Sequence, residues 1–228
     1  MADKDEVEGA SSRGSGDQET CWDREYSCPH PMWKGPPKDD LGLELAGVVL
    51  ELGCGNGKTA AVLVRTASSV VALDFSRVGL RSCRLAVPSP GLELVRGDLR
   101  SLPFADRTFD HVVASHVLGH LLQDERRRAM DEIIRVLVPG GTLVLRAFSV
   151  KDMRCGQGQE IEAGTFRRGT GIRNHFFSGE ELRVLTVGLE EVTLEESVSS
   201  KRYGGREMTR AEWSGIFRVI RDGPQSKP

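Results

Sequence analysis

The chain has 228 residues, 39% hydrophobic and 28% charged, which suits one sizeable core and one or two domains. A net charge of −2 gives no overall basic footprint for nucleic acid, and no apolar run nears the roughly 18 residues of a membrane span. Five cysteines, at 21, 28, 54, 83 and 155, form no CxxC pair. With an odd count and no apolar leader, the expectation is a reduced, cytoplasmic protein without a disulfide framework. Cys21, Cys28 and His30 lack the spacing of a structural zinc site, so no metal is expected.

Residues 1–20, rich in Asp, Glu, Ser and Gly, read as a disordered tail. Residues 21–44 read as a strap or lid. Pro36-Pro37 holds part of it extended, and Tyr26 or Trp33 would line a site beneath it. The main domain is expected over 45–228. Its first strand, 48–52, is apolar around Glu51 and runs into Gly53, Gly55 and Gly57, then a helix over 58–67. Glycine lets backbone turn sharply and approach a ligand closely. A second strand ends at Asp74, about twenty residues on, where an acid can accept hydrogen bonds from ribose hydroxyls.

Ser76 caps a helix to residue 86, and Pro88-Ser89-Pro90-Gly91 is a turn. Strands follow at 92–95 and 109–115. Met130, Ile133, Ile134 and Leu137 fall at helical spacing behind a cap at Asp124. Pro139-Gly140-Gly141 ends that helix before a strand over 142–148. Residues 149–175 are too long for an ordinary connection and read as an inserted loop, functional or disordered. Ser178 and Glu181 form a capping box for a helix over 178–187. Strands 189–198 and 213–221 close the sheet as a hairpin, with a turn near Tyr203-Gly204-Gly205. The expected class is α/β: a Rossmann-like seven-stranded sheet, mostly parallel with the last strand antiparallel, and helices on both faces.

Neither phosphate-binding pattern fits the glycine loop. G-x-G-x-x-G would put its third glycine at Lys58, and a phosphate loop ending in Gly57-Lys58-Thr59 would put its first at Leu52. The run Glu51-Leu52-Gly53-Cys54-Gly55-Asn56-Gly57 instead resembles the first motif of class I S-adenosylmethionine (SAM) dependent methyltransferases. Asp74 matches their ribose-binding acid. Gly97-Asp98-Leu99 is similar to their adenine-binding motif, 109–115 to their fourth strand, and 135–143 to the helix, turn and fifth strand. The resemblance covers 45–148 and is of the type 11/25 kind. It implies SAM as cofactor, held by Glu51, Gly53, Cys54, Gly55, Gly57, Asp74, Phe75, Asp98, Leu99 and Ser115. SAM carries no phosphate, which suits a loop without an anion nest.

Methyl transfer from a sulfonium is an in-line displacement, in which an enzyme aligns the nucleophile, removes water and sometimes takes a proton. His116 and His120 follow the fourth strand where relatives place substrate-contacting groups, and His175 has a similar claim from the other side. Trp33, Arg154, Arg168 and Arg173 are candidates for the acceptor, the arginines for an anionic one; a solvated loop is the other reading of the arginines. The resemblance extends to tellurite-resistance-type methyltransferases at the N-terminal segment and to tRNA wobble-uridine methyltransferases around 118–141. A small-molecule acceptor is the first reading, tRNA or protein the second, and a SAM-fold binding subunit without turnover the third. Oligomeric state is not legible.

Overall fold

The computed structural model describes residues 13–28 and 44–220. Trp33 and the Pro36-Pro37 segment lie outside them. Among the described residues the α-helices are α1 (Arg13–Ser27), α2 (Ala60–Leu63), α3 (Arg77–Ala86), α4 (Gln123–Val136) and α5 (Gly179–Leu185). The strands are β1 (Val48–Leu52), β2 (Ser69–Asp74), β3 (Leu92–Arg96), β4 (Phe109–Ser115), β5 (Leu137–Phe148), β6 (Gln159–Glu162), β7 (Thr165–Arg167), β8 (Arg173–His175), β9 (Leu189–Tyr203) and β10 (Arg206–Val219).

Seven strands form one sheet in the order β3-β2-β1-β4-β5-β10-β9. Pairing is parallel from β3 to β5, and β10 runs antiparallel to both its neighbours. Alternate residues explain the two packed faces. Leu50, Leu52, Val112 and Leu143 join Met130 and Ile133 of α4 and Leu182 of α5 in one core. Val49, Val70, Val113 and Val144 join Ala60 and Leu63 of α2 and Cys83 of α3 in the other. Strand order reverses between β1 and β4, and crevices open at such switch points beyond the carboxyl ends of the strands.

The structure departs from the sequence reading in four places. Helix α1 begins at Arg13, inside the expected tail, and takes up the start of the expected strap. Its Cys21, Trp22 and Tyr26 pack with Ile172 and Phe75, so a short apolar stripe orders an otherwise polar segment. Helix α2 is reduced to Ala60–Leu63 because Gly55 and Gly57, at φ +50° and +83°, keep the preceding residues in turns. Strand β5 starts at Leu137, directly after α4, and Pro139-Gly140-Gly141 forms an irregularity within it: Phe109 pairs with Leu137 while His111 pairs with Thr142. Glu125, rather than Asp124, closes the start of α4 by accepting the Leu122 amide at 2.8 Å.

The insertion is ordered. β6, β7 and β8 form a small antiparallel sheet of their own, with Thr165, Ile172 and Phe176 buried. The closing hairpin turns at Gly204-Gly205. Among the described residues no helix is long and apolar enough to cross a membrane.

Candidate active site

A cavity of about 290 Å³ opens at the carboxyl ends of β1, β2, β4 and β5. Its floor is the glycine loop. Gly53 and Cys54 both donate backbone N–H groups to the Leu73 carbonyl, at 2.8 and 3.1 Å, which ties the loop to β2. Gly53 has φ +68°, and a Cβ there would fall 2.5 Å from Val117. Gly57 does not line the cavity; it admits Cys83 of α3, whose sulfur a Cβ would meet at 2.8 Å. Cys54 is buried, and its hydrogen bond with Cys83 and its burial hold the thiol far up from its ordinary range. It is a small protonated filler of the loop.

Two buried acids stand at the loop's edge. Asp74 accepts the Gly55 amide on Oδ2 and the Ser76 amide on Oδ1, each at 2.8 Å. Burial pushes its carboxyl up to about 6 despite these amide bonds. Burial likewise holds Glu51 well above the carboxylate range, and its Oε2 has no hydrogen-bond partner. Ser115, at the end of β4, also lines the cavity with a buried, unpartnered hydroxyl. Phe75, Asp98 and Leu99 complete this side. Asp98 is gripped by Arg100 through Nε, at 2.9 and 3.0 Å, and the guanidinium holds its carboxyl below the usual range against the opposing effect of burial.

The far wall carries His116, His120, Arg146 and Arg173. His116 has left-handed backbone, φ 61° and ψ −5°, which turns its ring off the strand end. The ring stacks on Phe148 at 4.1 Å, and Nε2 lies 3.6 Å from Oε2 of Glu212 on β10. His120 Nδ1 lies 2.7 Å from the Arg173 carbonyl, so this nitrogen carries the proton. Burial lowers its pKa to about 4, and the ring is neutral. Arg173 pairs with Glu125 at 3.4 Å.

Helix α1 roofs the cavity with Gln18, Trp22 and Tyr26. Trp22 meets His120 edge-on at 4.7 Å and stacks with Tyr26 at 5.5 Å. Gln18 donates to the Gly171 carbonyl and accepts from the Arg173 amide, at 3.0 and 3.3 Å, so the roof is fastened to the insertion sheet. Glu19 pairs with Arg96 at 2.6 Å.

Besides Gly57, three sequence candidates sit elsewhere. His175 does not line the cavity; it is buried with Nδ1 at 2.7 Å from Thr165 Oγ1 and Nε2 at 2.7 Å from Glu181 Oε1, a strut between β8 and α5. Arg154 lies flat over Phe148 at 3.8 Å and binds Asp152 at 2.7 Å. Arg168 bonds Gln157 at the surface. Conversely, Gln18, Arg146 and Glu212 were not legible as site residues. Arg146 is the register partner of Ser115, so pairing β4 with β5 on paper would have found it.

The donor set suits S-adenosylmethionine. Buried carboxylates and a hydroxyl with open acceptor sites match a ligand with ribose hydroxyls and a cationic end, and the glycine floor admits it closely.

Comparison with known proteins agrees. A methyltransferase domain family matches residues 50–145. A phthiotriol/phenolphthiotriol dimycocerosates methyltransferase of Mycobacterium ulcerans is 43% identical over 108 residues, covering 45% of this chain and 38% of the relative. A tRNA N(3)-cytidine methyltransferase of Bos taurus is 31% identical over 160 residues, 63% of this chain and 42% of that one. The chain therefore spans less than half the length of these curated relatives. A SAM-dependent methyltransferase from Methanosarcina mazei superposes with a TM-score of 0.65 at 25% identity, over 79% of this chain and 95% of its own. The glycine loop, its two buried acids and the seven-stranded sheet thus agree with a class I SAM-dependent methyltransferase domain, the family that residues 50–145 match.

Proposed function

We propose that the protein moves a methyl group from S-adenosylmethionine to a small-molecule acceptor. The observation that carries this reading is the pair of buried, unpartnered acceptor atoms, Glu51 Oε2 and Ser115 Oγ, at the cavity built by the glycine loop and Asp74. When bound, the sulfonium of the cofactor supplies an activated methyl group. Glu51, Asp74 and Asp98, which line the cavity, would hold its hydroxyl and amino groups, and Leu99 and Phe75 would flank its ring.

What remains for the far wall is to orient the acceptor and, where needed, to accept its proton. His120 is neutral, weakly basic and fixed by a carbonyl. His116 lines the same wall, its ring turned off the strand end with Nε2 3.6 Å from the Glu212 carboxylate. Proton uptake therefore falls to His116. Trp22, Tyr26 and Gln18 exclude water from above.

A small acceptor is favoured over RNA by the way the arginines are paired. Arg100 and Arg173 meet Glu125, Arg126 meets Glu162, and Arg135 meets Glu132 and Asp106. Among the described residues these arginines are matched by acids rather than arrayed as a phosphate-binding stripe. The five cysteines are free thiols, which supports a reducing, cytoplasmic setting.

Incubation with methyl-tritiated SAM and a cell extract tests the reading. Label in solvent-extractable small molecules is expected. Label confined to acid-precipitable RNA or protein would transfer the activity to those acceptors.

A further inference from the structure

A second cavity, of about 190 Å³, lies on the other side of His116, against the β9–β10 hairpin. It and the cofactor cavity share one lining residue, His116. We propose that this second cavity is the acceptor's binding site and that it selects an acceptor bearing an acidic group. The inference rests on the methyl-transfer reading above and deepens it.

The register of the strands builds the site. Phe148 of β5 pairs with Glu212 of β10, which pairs with Ser197 of β9; one step along, Arg210 pairs with Ser199, and Lys201 follows two residues on. Side chains two apart share a sheet face, so these residues line one polar face of three neighbouring strands. Such a face lacks the apolar lining of a lipid-tail pocket.

Its charge is unbalanced towards cationic. Asp152 is fully buried at the cavity's base and accepts from Arg154 at 2.7 Å, Arg210 at 2.9 Å and the Ala211 amide at 3.1 Å. One carboxylate thus faces two guanidinium groups. Glu212 lies beside His116, and Lys201 stands exposed at the rim. Arg154, which does not itself line the cavity, balances Asp152 from behind, so Arg210 and Lys201 of the lining stand against Glu212 and leave one positive charge, with two serine hydroxyls as donors. A carboxylate or phosphate is complementary to that set. Phe148, buried with His116 stacked on its ring at 4.1 Å and Arg154 over it at 3.8 Å, fixes the wall that this cavity shares with the cofactor cavity.

The test uses histidine-labelled full-length protein followed by NMR, with S-adenosylhomocysteine (SAH) at saturation. The His116 signal is identified by its absence in His116→Gln. Inorganic phosphate and benzoate are added separately as the two acidic probes. The expected result is a saturable shift of the His116 signal with at least one of them, which also tells phosphate from carboxylate. In Lys201→Glu that affinity should fall at least about tenfold, because a like charge at the rim opposes the anion, while calorimetric SAH affinity stays unchanged. A silent His116 with both probes would overturn the proposal. So would a shift of equal affinity in Lys201→Glu. If SAH itself does not bind, it is the methyl-transfer reading that fails.

Discussion

The backbone amide of Gly55 donates to Oδ2 of Asp74 across 2.8 Å, so one hydrogen bond sets the glycine loop against the acid that ends β2. The loop's shape and the acid's position are therefore one feature. Gly55 has φ +50°, and a Cβ there would run into the Tyr26 hydroxyl on α1. Gly55→Ala combines a left-handed backbone with that clash. It is expected to lower stability by about 1–2 kcal/mol in a denaturant titration and to weaken SAH binding by displacing Tyr26. Unchanged stability would mean that the loop relaxes without cost.

Asp74 gives the site a pH dependence. Its folded-state pKa, about 6, lies above the ordinary 3.8. As pH falls through 6 the folded protein takes up a proton that the unfolded chain does not yet take, so Asp74's contribution to apo stability rises between about pH 6 and about pH 4. Ligand binding runs the other way, since hydroxyl donors favour the ionised acid. SAH affinity should fall by up to about tenfold per unit below pH 6, with proton release on binding near pH 6. Asp74→Asn should flatten this dependence and weaken binding by about 1–3 kcal/mol. Calorimetry in buffers of different ionisation enthalpy reads both quantities, and a flat wild-type affinity down to about pH 5 would contradict the assignment.

His175 separates scaffold from site. With both ring nitrogens bonded, to a fully buried Thr165 and to Glu181, His175→Ala removes two hydrogen bonds and the packing of a buried ring. A loss of about 2–3 kcal/mol in stability is expected, with SAH affinity of the folded fraction retained. Wild-type stability together with lost binding would return His175 to the site.

The roof is testable through Arg24, exposed on α1 beside cavity-lining Trp22. Cleavage there by trypsin requires local opening of the helix. Saturating SAH should slow it by more than about tenfold, because ligand contacts stabilise the closed form. Equal rates with and without ligand would make α1 a passive strap.

Most of the sheet was legible because its strands are short apolar runs bounded by Gly, Pro or Asp, and Glu51, Asp74 and Ser115 follow from being strand-end residues on that sheet. The roof was not. Gln18, Trp22 and Tyr26 stand at helical spacing, but so polar a segment forms a helix only by packing on Ile172 and Phe75, residues of distant chain segments. Nor was the role of Glu212, which depends on β10 lying beside β5 and on register with Phe148. His175 shows the opposite error: a titratable residue after a long insertion suggested chemistry, yet its neighbours Thr165 and Glu181 make it a buried strut.

The central claim is that the glycine loop, Glu51 and Asp74 form a SAM site. Isothermal titration of the full-length protein with SAM and with SAH tests it most directly. The account predicts saturable binding of both at one site per chain, weakened in Asp74→Ala. Absence of binding with either ligand, in protein whose fold is verified by circular dichroism, would contradict it.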